Sequence, residues 1–206
     1  MTMADKRIYL ASRSPRRREL LKQIGVSFEL LLLREDARRG VDVDETPLPG
    51  EAPADCAVRI ARAKTEVATT RVVQRRLQLY PVLAADTTVV RDDAVIGKPR
   101  DAGHAAQILA ALAGREHRVI TAVAVAMRDQ VESSVSVSSI EFRALSPAEI
   151  QRYIASGEPF DKAGAYAIQG RAAAFVTRIG GSYSGIMGLP LAETAELLQK
   201  FGIEVL

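Results

Sequence analysis

The 206-residue sequence contains no tryptophan, one cysteine and two histidines, and aromatic residues make up only 5% of it. A single cysteine excludes an intramolecular disulfide, and no pair of histidines or cysteines has the spacing of a zinc site. Cys56 lies in a helical pattern rich in alanine and valine, which favours a small core residue over a catalytic nucleophile. The scarcity of aromatic side chains also leaves no evident platform for stacking nucleic-acid bases.

Long apolar runs are absent as well. No segment approaches the roughly 18 apolar residues that cross a bilayer, and the N-terminus lacks the apolar stretch of a signal peptide. We therefore expect a soluble, cytoplasmic protein without a membrane partner. The net charge of +3, from 28 basic and 25 acidic residues, is too balanced to indicate a nucleic-acid partner, although the basic pI of about 9.2 leaves that alternative open.

The patterning that is present predicts a mixed α/β architecture. Apolar runs predict buried strands at residues 8–11, 28–33 and 81–90, and two longer runs predict an antiparallel pair at 118–127 and 131–142. Because strand and helix patterns are mixed throughout without a linker, we expect one α/β domain over residues 1–206, with a mixed β-sheet flanked by helices. Helix-start signals stand at Ser14, Pro53, Asp101, Ser146 and Pro190.

Shorter signals describe the remaining segments. Residues 34–51 are polar and contain prolines and glycines, which predicts a long surface loop. Residues 172–179 predict a further strand, and Gly180-Gly181 predicts a tight turn after it. Residues 203–206 predict a last short strand.

Residues 8–21, with the sequence IYLASRSPRRRELL, contain the strongest functional signal. A buried strand runs directly into a helix that Ser14 can cap, so free backbone N–H groups and the positive end of the helix dipole favour an anion. Arg16, Arg17 and Arg18 crowd the first turn, where they repel each other and oppose the dipole. A bound polyphosphate explains that placement, and three solvated surface arginines are the alternative.

Charged residues elsewhere could complete such a site. Asp86 emerges from the buried strand at 81–90, where a carboxylate must be solvated, paired, metal-bound or satisfied by local backbone N–H groups. The loop sequence VDVDE, which ends at Glu45, adds carboxylates that could hold Mg²⁺ or Mn²⁺ together with Asp86, unless they are merely solvated. Lys64 and Lys98 are typical surface lysines on local evidence.

Residues 158–170, EPFDKAGAYAIQG, combine glycines with an aromatic ring and an amide. Such a loop suits recognition of a planar base by stacking on Tyr166 and by paired hydrogen bonds. The Gln169 amide could read an imide edge because it offers both a donor and an acceptor. A structured connector is the alternative.

Several motifs together resemble the Maf family of nucleoside triphosphate pyrophosphatases. They occur in the family's order between residues 8 and 201: LASRSPRRRELL, VDETP, AADTTVV, GKP, DKAGAYAIQG and GLPL. The resemblance implies a mixed α/β fold of two lobes around a deep cleft, similar to the inosine triphosphatase type and often dimeric, so a homodimer is an expected partner state. It also implies hydrolysis of a nucleoside triphosphate to the monophosphate and pyrophosphate, with a divalent metal cation, Mg²⁺ or Mn²⁺, as cofactor.

The resemblance also implies roles for individual residues. Asp86 matches the catalytic carboxylate, as general base, metal ligand or both, and Glu45 matches the second metal carboxylate. Arg16, Thr87 and Gln169 occupy positions associated with base choice. The polar and basic residues that match the family's triphosphate-binding cleft are Ser12, Arg16, Arg17, Lys64 and Lys98.

The segment DKAGAYAIQG resembles the branch of the family that acts on dTTP and UTP. This implies pyrimidine nucleotides as substrates, and a house-cleaning role in removing modified ones. A 7-methyl-GTP pyrophosphatase of the same family and a nucleic-acid-binding regulator of cell division are the alternatives. The chain departs from the family pattern at residues 34–40, which lengthen the loop before Glu45, and at Ala167, where the branch commonly has glycine.

Overall fold

The computed structural model of the protein describes residues 7–34 and 40–205. Within these ranges a seven-stranded mixed sheet is flanked by helices, which confirms the predicted α/β class, while the division into two lobes stays a prediction. The strands are β1 (Arg7–Leu10), β2 (Ser27–Leu30), β3 (Val82–Arg91), β4 (Ala94–Ile96), β5 (Glu116–Met127), β6 (Gln130–Phe142) and β7 (Val176–Gly180). The helices are α1 (Pro15–Gln23), α2 (Pro53–Gln74), α3 (Ala102–Leu112), α4 (Pro147–Ala155), α5 (Tyr183–Met187) and α6 (Leu191–Lys200).

The strand order places β3 in the middle of the sheet. The order is β2-β1-β3-β5-β6-β7, and the short β4 pairs with β3 off this path. β1 lies parallel to both β2 and β3, and the remaining pairs are antiparallel. The central position predicted for the strand at 81–90 is therefore confirmed, and the predicted antiparallel pair is β5 with β6.

The two faces of the sheet bury alternate residues of the same strand. On one face, α2 packs against Val90 of β3. On the opposite face, α1 and α6 pack against Leu83. Because successive side chains of a strand point to opposite faces, Asp86 projects toward α2 and its neighbour Thr87 projects toward α1.

Local sequence signals place the helix starts as predicted. The Ser14 hydroxyl caps α1 by accepting a hydrogen bond from the N–H of Arg17 at 3.5 Å. The Asp101 carboxylate caps α3, and Ser146 forms a reciprocal capping box with Glu149 at the start of α4. No helix in the described ranges is both long and apolar enough to cross a membrane.

The prediction of a buried strand at residues 28–33 is wrong in its burial and in its end. β2 stops at Leu30 and forms the edge of the sheet, where it pairs with β1. Leu30 and Leu32 are 43% and 40% exposed, whereas Leu31 and Leu33 are buried. An apolar run indicates a hydrophobic strand, but its position in the sheet depends on pairing with distant residues.

The strand predicted at residues 172–179 is correct only in its second half. Arg171–Phe175 forms a 3₁₀ turn, and the strand begins at Val176. The Glu158 carboxylate accepts hydrogen bonds from the first two N–H groups of this turn, at 3.0 and 3.4 Å. A carboxylate brought in from an earlier segment thus favours the turn over an extended backbone.

The chain turns at Gly181, which has a φ of +96° and leads from β7 into α5. The last predicted strand is wrong. Residues 203–205 form no strand, and Leu206 lies outside the described residues.

The long loop is confirmed where the structure describes it. Residues 40–51 contain neither helix nor strand, and residues 35–39 of the lengthened segment lie outside the described residues. The Asp42 carboxylate accepts hydrogen bonds from Arg34 and from Arg71 of α2. These bonds fasten the start of the loop to the helix that faces Asp86.

Candidate active site

A cavity of about 980 Å³ opens where β1 ends and β3 passes beside it. Burial along β3 is interrupted here, because Asp86, Thr87 and Thr88 are partly exposed between buried residues. The residues that the sequence analysis assigns to the site all lie on the wall of this cavity: Ser12, Arg16, Arg17, Glu45, Lys64, Asp86, Thr87, Lys98 and Gln169. The fold therefore brings the predicted site together, while the role of each residue stays a prediction.

A lysine joins the two predicted metal carboxylates. Nζ of Lys64, on α2, lies 2.9 Å from Oδ1 of Asp86 and 2.8 Å from Oε1 of Glu45. The side chains of Lys64 and Asp86 are 14% and 15% exposed, whereas that of Glu45 is 49% exposed. Lys64 is thus part of the cavity and not an ordinary surface lysine.

The acidic side of the cavity offers oxygen ligands for a divalent cation. Asp86 and Glu45 converge on one point, and Mg²⁺ in phosphate sites is commonly bound by one or two carboxylates together with phosphate oxygens and water. In the part of the chain that the structure describes, no group of three or more histidine, cysteine, aspartate or glutamate side chains could hold a metal. Two carboxylates could hold a cation only together with further ligands such as phosphate oxygens and water.

Arg17 joins three parts of the cavity wall. Its Nε donates to the carbonyl of Gly188 at 2.7 Å, Nη1 donates to Oγ of Ser12 at 3.2 Å, and Nη2 donates to Oγ1 of Thr87 at 3.1 Å. Gly188 has a φ of +114°, and a Cβ added there would lie 3.5 Å from both Arg17 Nε and Thr87 Oγ1. The guanidinium thus links α1, β3 and the turn between α5 and α6.

The Ser12 hydroxyl is left as a donor. Its oxygen accepts one hydrogen bond from the N–H of Ser14 and one from Nη1 of Arg17, each at 3.2 Å. A serine hydroxyl has two lone pairs and one proton. Both lone pairs are occupied, so the proton remains for an oxygen atom of a ligand in the cavity.

Arg16 and Lys162 make part of the cavity wall electropositive. Nε of Arg16 is buried and has no hydrogen-bond partner among the described residues, and burial holds the pKa of this guanidinium below its ordinary value. Burial, and then the positive charge of Arg16, lower the pKa of the Lys162 ammonium. Two partly buried cations, whose charged forms burial disfavours, form a region that an anion would stabilise.

The three arginines of the first helical turn have different environments. Arg16 lines the cavity, Arg17 is bound within its wall, and Arg18 lies outside it, where Nη2 is 3.4 Å from the carbonyl of Arg13. From the sequence, the three arginines are expected to behave as one group, either bound to an anion or solvated. Neither description fits all of them.

Lys98 and Gln169 lie on the exposed rim of the cavity. Lys98 follows β4, and Gln169 follows the buried residues 165–168. Neither side chain has a hydrogen-bond or ion-pair partner in the described ranges. Both are therefore available to a ligand.

Tyr166 does not offer an open ring face for stacking. It is 7% exposed, and its ring packs edge to face against Phe142 and His117. Its hydroxyl lies 2.8 Å from Nε2 of His117, and burial lowers the pKa of this histidine to about 4. Tyr166 lines the cavity, but its main contacts fasten the loop at 158–170 to the core.

Tyr153 and Glu158 hold the same loop from its other end. The Tyr153 hydroxyl donates to Oε1 of Glu158 at 2.8 Å and accepts from the N–H of Ala167 at 3.2 Å. Ala167 is not among the described residues with positive φ, so its replacement of glycine adds no backbone strain. Gly164 has a φ of +73°, a conformation that favours glycine.

Sequence reasoning misses two parts of the site. Lys162 belongs to the motif DKAGAYAIQG, which places it near the site. The motif does not show that Lys162 lies close enough to Arg16 for the two positive charges to interact. Arg59 of α2 donates to Glu51 at 2.7 Å and to the carbonyl of Thr46 at 3.0 Å, which holds the loop on either side of Glu45. No local pattern indicates this contact, because it depends on how the loop folds back onto α2.

Comparison with known proteins identifies the family. The family model described as Maf-like protein matches residues 7–201. The chain belongs to the Maf family. Proteins named dTTP/UTP pyrophosphatase are similar to it over their whole length: one from Nitrosomonas europaea is 58% identical and one from Nitrosospira multiformis 54% identical, each match covering 100% of this chain and 99% of the relative. A third, from Aromatoleum aromaticum, is 56% identical over 98% of both chains.

Two solved structures resemble this Maf-family chain more distantly. The Staphylococcus aureus Ham1 protein has a TM-score of 0.49 and 15% identity, with 95% of this chain and 97% of that chain covered. A HAM1 protein from Coxiella burnetii has a TM-score of 0.49 and 16% identity, with 94% and 98% covered. A likeness at this level supports no conclusion about function.

Proposed function

We propose that this chain is a nucleoside triphosphate pyrophosphatase that hydrolyses dTTP and UTP to the monophosphate and pyrophosphate. Relatives with that name are 50–58% identical to it. The observation that carries the proposal is the cavity itself: Asp86 and Glu45 converge on Lys64 at one side, and Ser12 and Arg16 contribute donors at the other. Carboxylates opposite donors for phosphate oxygens are suited to hydrolysis of a phosphoanhydride.

The triphosphate binds to the donors that the protein does not satisfy internally. The Ser12 proton, the Arg16 guanidinium and the Lys98 ammonium meet phosphate oxygens, and Lys162 adds positive charge beside Arg16. Charge-assisted hydrogen bonds of this kind hold phosphates more strongly than neutral ones. Binding also relieves the buried, unpaired Nε of Arg16.

Asp86 serves as the base in the hydrolytic step. Its Oδ1 is held by Lys64, so its second carboxylate oxygen remains to take a proton from water. The water oxygen forms a bond to the α-phosphorus as the bond to the bridging oxygen breaks, and pyrophosphate leaves with the electron pair. Lys98 and Arg16 offset the charge that develops on the pyrophosphate.

A divalent cation, Mg²⁺ or Mn²⁺, fits the proposal as cofactor. Asp86 and Glu45 would hold it, together with oxygens of the substrate. When bound, it supplies neutralisation of phosphate charge. The loop bonds of Arg59 to Glu51 and Thr46 keep Glu45 beside Asp86 for this purpose.

Base choice is assigned to Arg16, Thr87 and Gln169. The Gln169 amide has no partner in the described ranges, and it can donate to one atom and accept from the next along the edge of uracil or thymine. Modified pyrimidine nucleotides with the same edge are further substrates, which is the basis of a house-cleaning role. Location in the cytoplasm and a homodimer remain predictions.

The experiment is release of pyrophosphate from a nucleotide panel with Mg²⁺ or Mn²⁺. The panel contains dTTP, UTP, 5-methyl-UTP, CTP, ATP, GTP and 7-methyl-GTP, each tested with wild type, Asp86→Asn and Asp92→Asn. Wild type is expected to prefer dTTP and UTP, and Asp86→Asn to lose about 10²–10⁴-fold in kcat. Asp92→Asn is the matched control, because Asp92 lies in the exposed turn after β3.

Each other outcome has a defined meaning. Preference for 7-methyl-GTP would keep the reaction and overturn the base assignment. Absence of turnover by a folded, metal-loaded protein would overturn the proposal that the chain is an enzyme. Retention of DNA or RNA that weakens steeply with salt would then favour the nucleic-acid-binding regulator.

A further inference from the structure

Lys162 lies on the cavity wall and also holds a turn of the loop at 158–170. Its Nζ donates to the carbonyl oxygen of Glu158 at 2.7 Å and to that of Phe160 at 3.3 Å. A lysine ammonium has three protons, so one proton remains for a further acceptor. The side chain therefore joins the backbone of this loop to the cavity.

The surroundings of the Lys162 ammonium favour an anion as that further acceptor. Burial, and then the positive charge of Arg16, lower the pKa of the ammonium, and the carboxylates of Glu158 and Asp161 offset this only in part. A phosphate oxygen at the third proton supplies negative charge in a charge-assisted hydrogen bond. Without it, the ammonium gains by turning toward water, which releases both carbonyl oxygens.

Glu158 extends this contact to the backbone that follows Gln169. Its carbonyl oxygen receives Lys162, while Oε2 of its carboxylate accepts from the N–H of Arg171 at 3.0 Å. The backbone at Gly170 passes so close to this carboxylate that a Cβ there would overlap it. One residue thus contacts the ammonium on the cavity wall and the chain directly after the base-reading amide.

We infer that Lys162 is a positioning residue that couples binding of the phosphate chain to the placement of Gln169. A phosphate oxygen fixes the ammonium, the ammonium fixes the Glu158 backbone, and the Glu158 carboxylate fixes the chain beside Gln169. The inference rests on the proposed function, because it takes Gln169 as the residue that meets the base. It adds that the phosphate end of the substrate orders the loop that reads the other end.

The experiment measures amide hydrogen exchange of residues 170–172 with Mg²⁺ alone and with Mg²⁺ and inorganic pyrophosphate, which calorimetry shows to be saturating for each protein. Pyrophosphate carries phosphates without a base, so slower exchange at these amides reports the coupling alone. We expect it to slow exchange about fivefold or more in wild type and less than about twofold in Lys162→Met, whose side chain has no charge.

Lys200→Met is the matched control. Lys200 forms a half-exposed ion pair with Glu132 and does not line the cavity. Pyrophosphate should slow exchange at residues 170–172 in this variant as much as in wild type.

A merely structural role for Lys162 gives a different result. Exchange in Lys162→Met would then be faster by the same factor with and without pyrophosphate, so equal slowing by pyrophosphate in wild type and in this variant would overturn the inference. If the variant does not fold, wild type alone decides, because bound pyrophosphate that leaves exchange at residues 170–172 unchanged contradicts the coupling.

Failure of the proposed function is distinguishable from failure of this inference. A protein that releases no pyrophosphate from any nucleotide contradicts the function, while slowing by pyrophosphate that depends on Lys162 would still support the coupling. Hydrolysis of UTP without such slowing would support the function and overturn the coupling.

Discussion

Two walls of the cavity differ in how far their polar groups are already bound by the protein. The inner wall consists of Ser12, Arg17, Thr87 and Thr121, whose donors and acceptors form a connected network of hydrogen bonds with the backbone. The loop wall consists of Glu45, Lys98 and Gln169, which are exposed. Two of these, Lys98 and Gln169, have no partner in the described ranges.

This difference indicates separate contributions to function. The inner wall has its geometry before any ligand arrives, so it can discriminate by the direction of single hydrogen bonds. The loop wall can adjust to the ligand and gains partners only when the ligand binds. Substitutions in the inner wall should therefore affect both stability and specificity, whereas those in the loop wall should affect binding with little effect on stability.

The largest effect on stability is expected for Arg17→Lys. Lysine cannot reproduce three bonds in different directions, and loss of these bonds in a half-buried site should lower the free energy of unfolding by about 2–3 kcal/mol. Urea unfolding measures the change. Arg18→Lys, at the next position of α1, should change it by less than about 0.5 kcal/mol, and an equal loss in the two variants would contradict the account of the inner wall.

A smaller effect on stability is expected from protonation of His117, whose contact with Tyr166 holds the loop at 158–170 on the core. Burial lowers the pKa of His117 from 6.5 to about 4, so the unfolded chain binds a proton that the folded protein excludes. The contribution of neutral His117 to the free energy of unfolding is complete above pH 6.5. It is lost as the pH falls from 6.5 to 4, and the loss at pH 5 is about 2 kcal/mol.

The test of this prediction is the difference in unfolding free energy between pH 7 and pH 5. Because His117→Gln has no imidazole to protonate, its difference should be smaller than that of wild type by about 2 kcal/mol. The comparison is made within each protein, so any general loss of stability in the variant cancels. Identical differences in wild type and variant would show that this histidine does not sense pH.

The smallest effect is expected for substitution of Glu51, which should change only the local opening of the loop before α2. Hydrogen bonds from Arg59 and from the N–H of Leu48 hold the pKa of the Glu51 carboxyl at about 2. The contribution of this ionised carboxylate is present above about pH 4.5 and is lost as the pH falls through 2. At pH 7, Glu51→Gln should quicken amide hydrogen exchange in residues 44–51 by roughly two- to fivefold, with global unfolding unchanged.

Glu29→Gln provides the matched control for Glu51→Gln, because Glu29 forms an exposed ion pair with Arg7 on the edge strand. It should leave exchange in residues 44–51 as in wild type. If Glu51→Gln also left exchange unchanged, Arg59 would not be what positions the loop beside Glu45.

Sequence predicted the features that depend on neighbouring residues. Ser14, Asp101 and the capping box at Ser146 determine helix starts because the cap and the N–H groups it binds lie within three residues of each other. Features that depend on distant pairing were not predictable in this way. β2 lies at the edge of the sheet because no other strand pairs with its second side. Nothing in residues 28–33 indicates that this partner is missing.

The candidate site shows the same limit. The motifs predict which residues meet in the cavity, but not which of them the protein itself binds. Arg17 reaches Gly188, 171 positions away, and Thr121 reaches Gly185 across the sheet. These bonds decide which polar groups remain for a ligand, and they become visible only when the chain is folded.

The most direct test of the account is hydrolysis of UTP by wild-type protein in water labelled with ¹⁸O, followed by mass spectrometry of both products. Asp86 adjoins Thr87, which is assigned to the base, so the water it activates should meet the α-phosphorus at the nucleoside end of the triphosphate. We expect ¹⁸O in UMP and none in pyrophosphate. Label in pyrophosphate, or release of labelled orthophosphate, would contradict it.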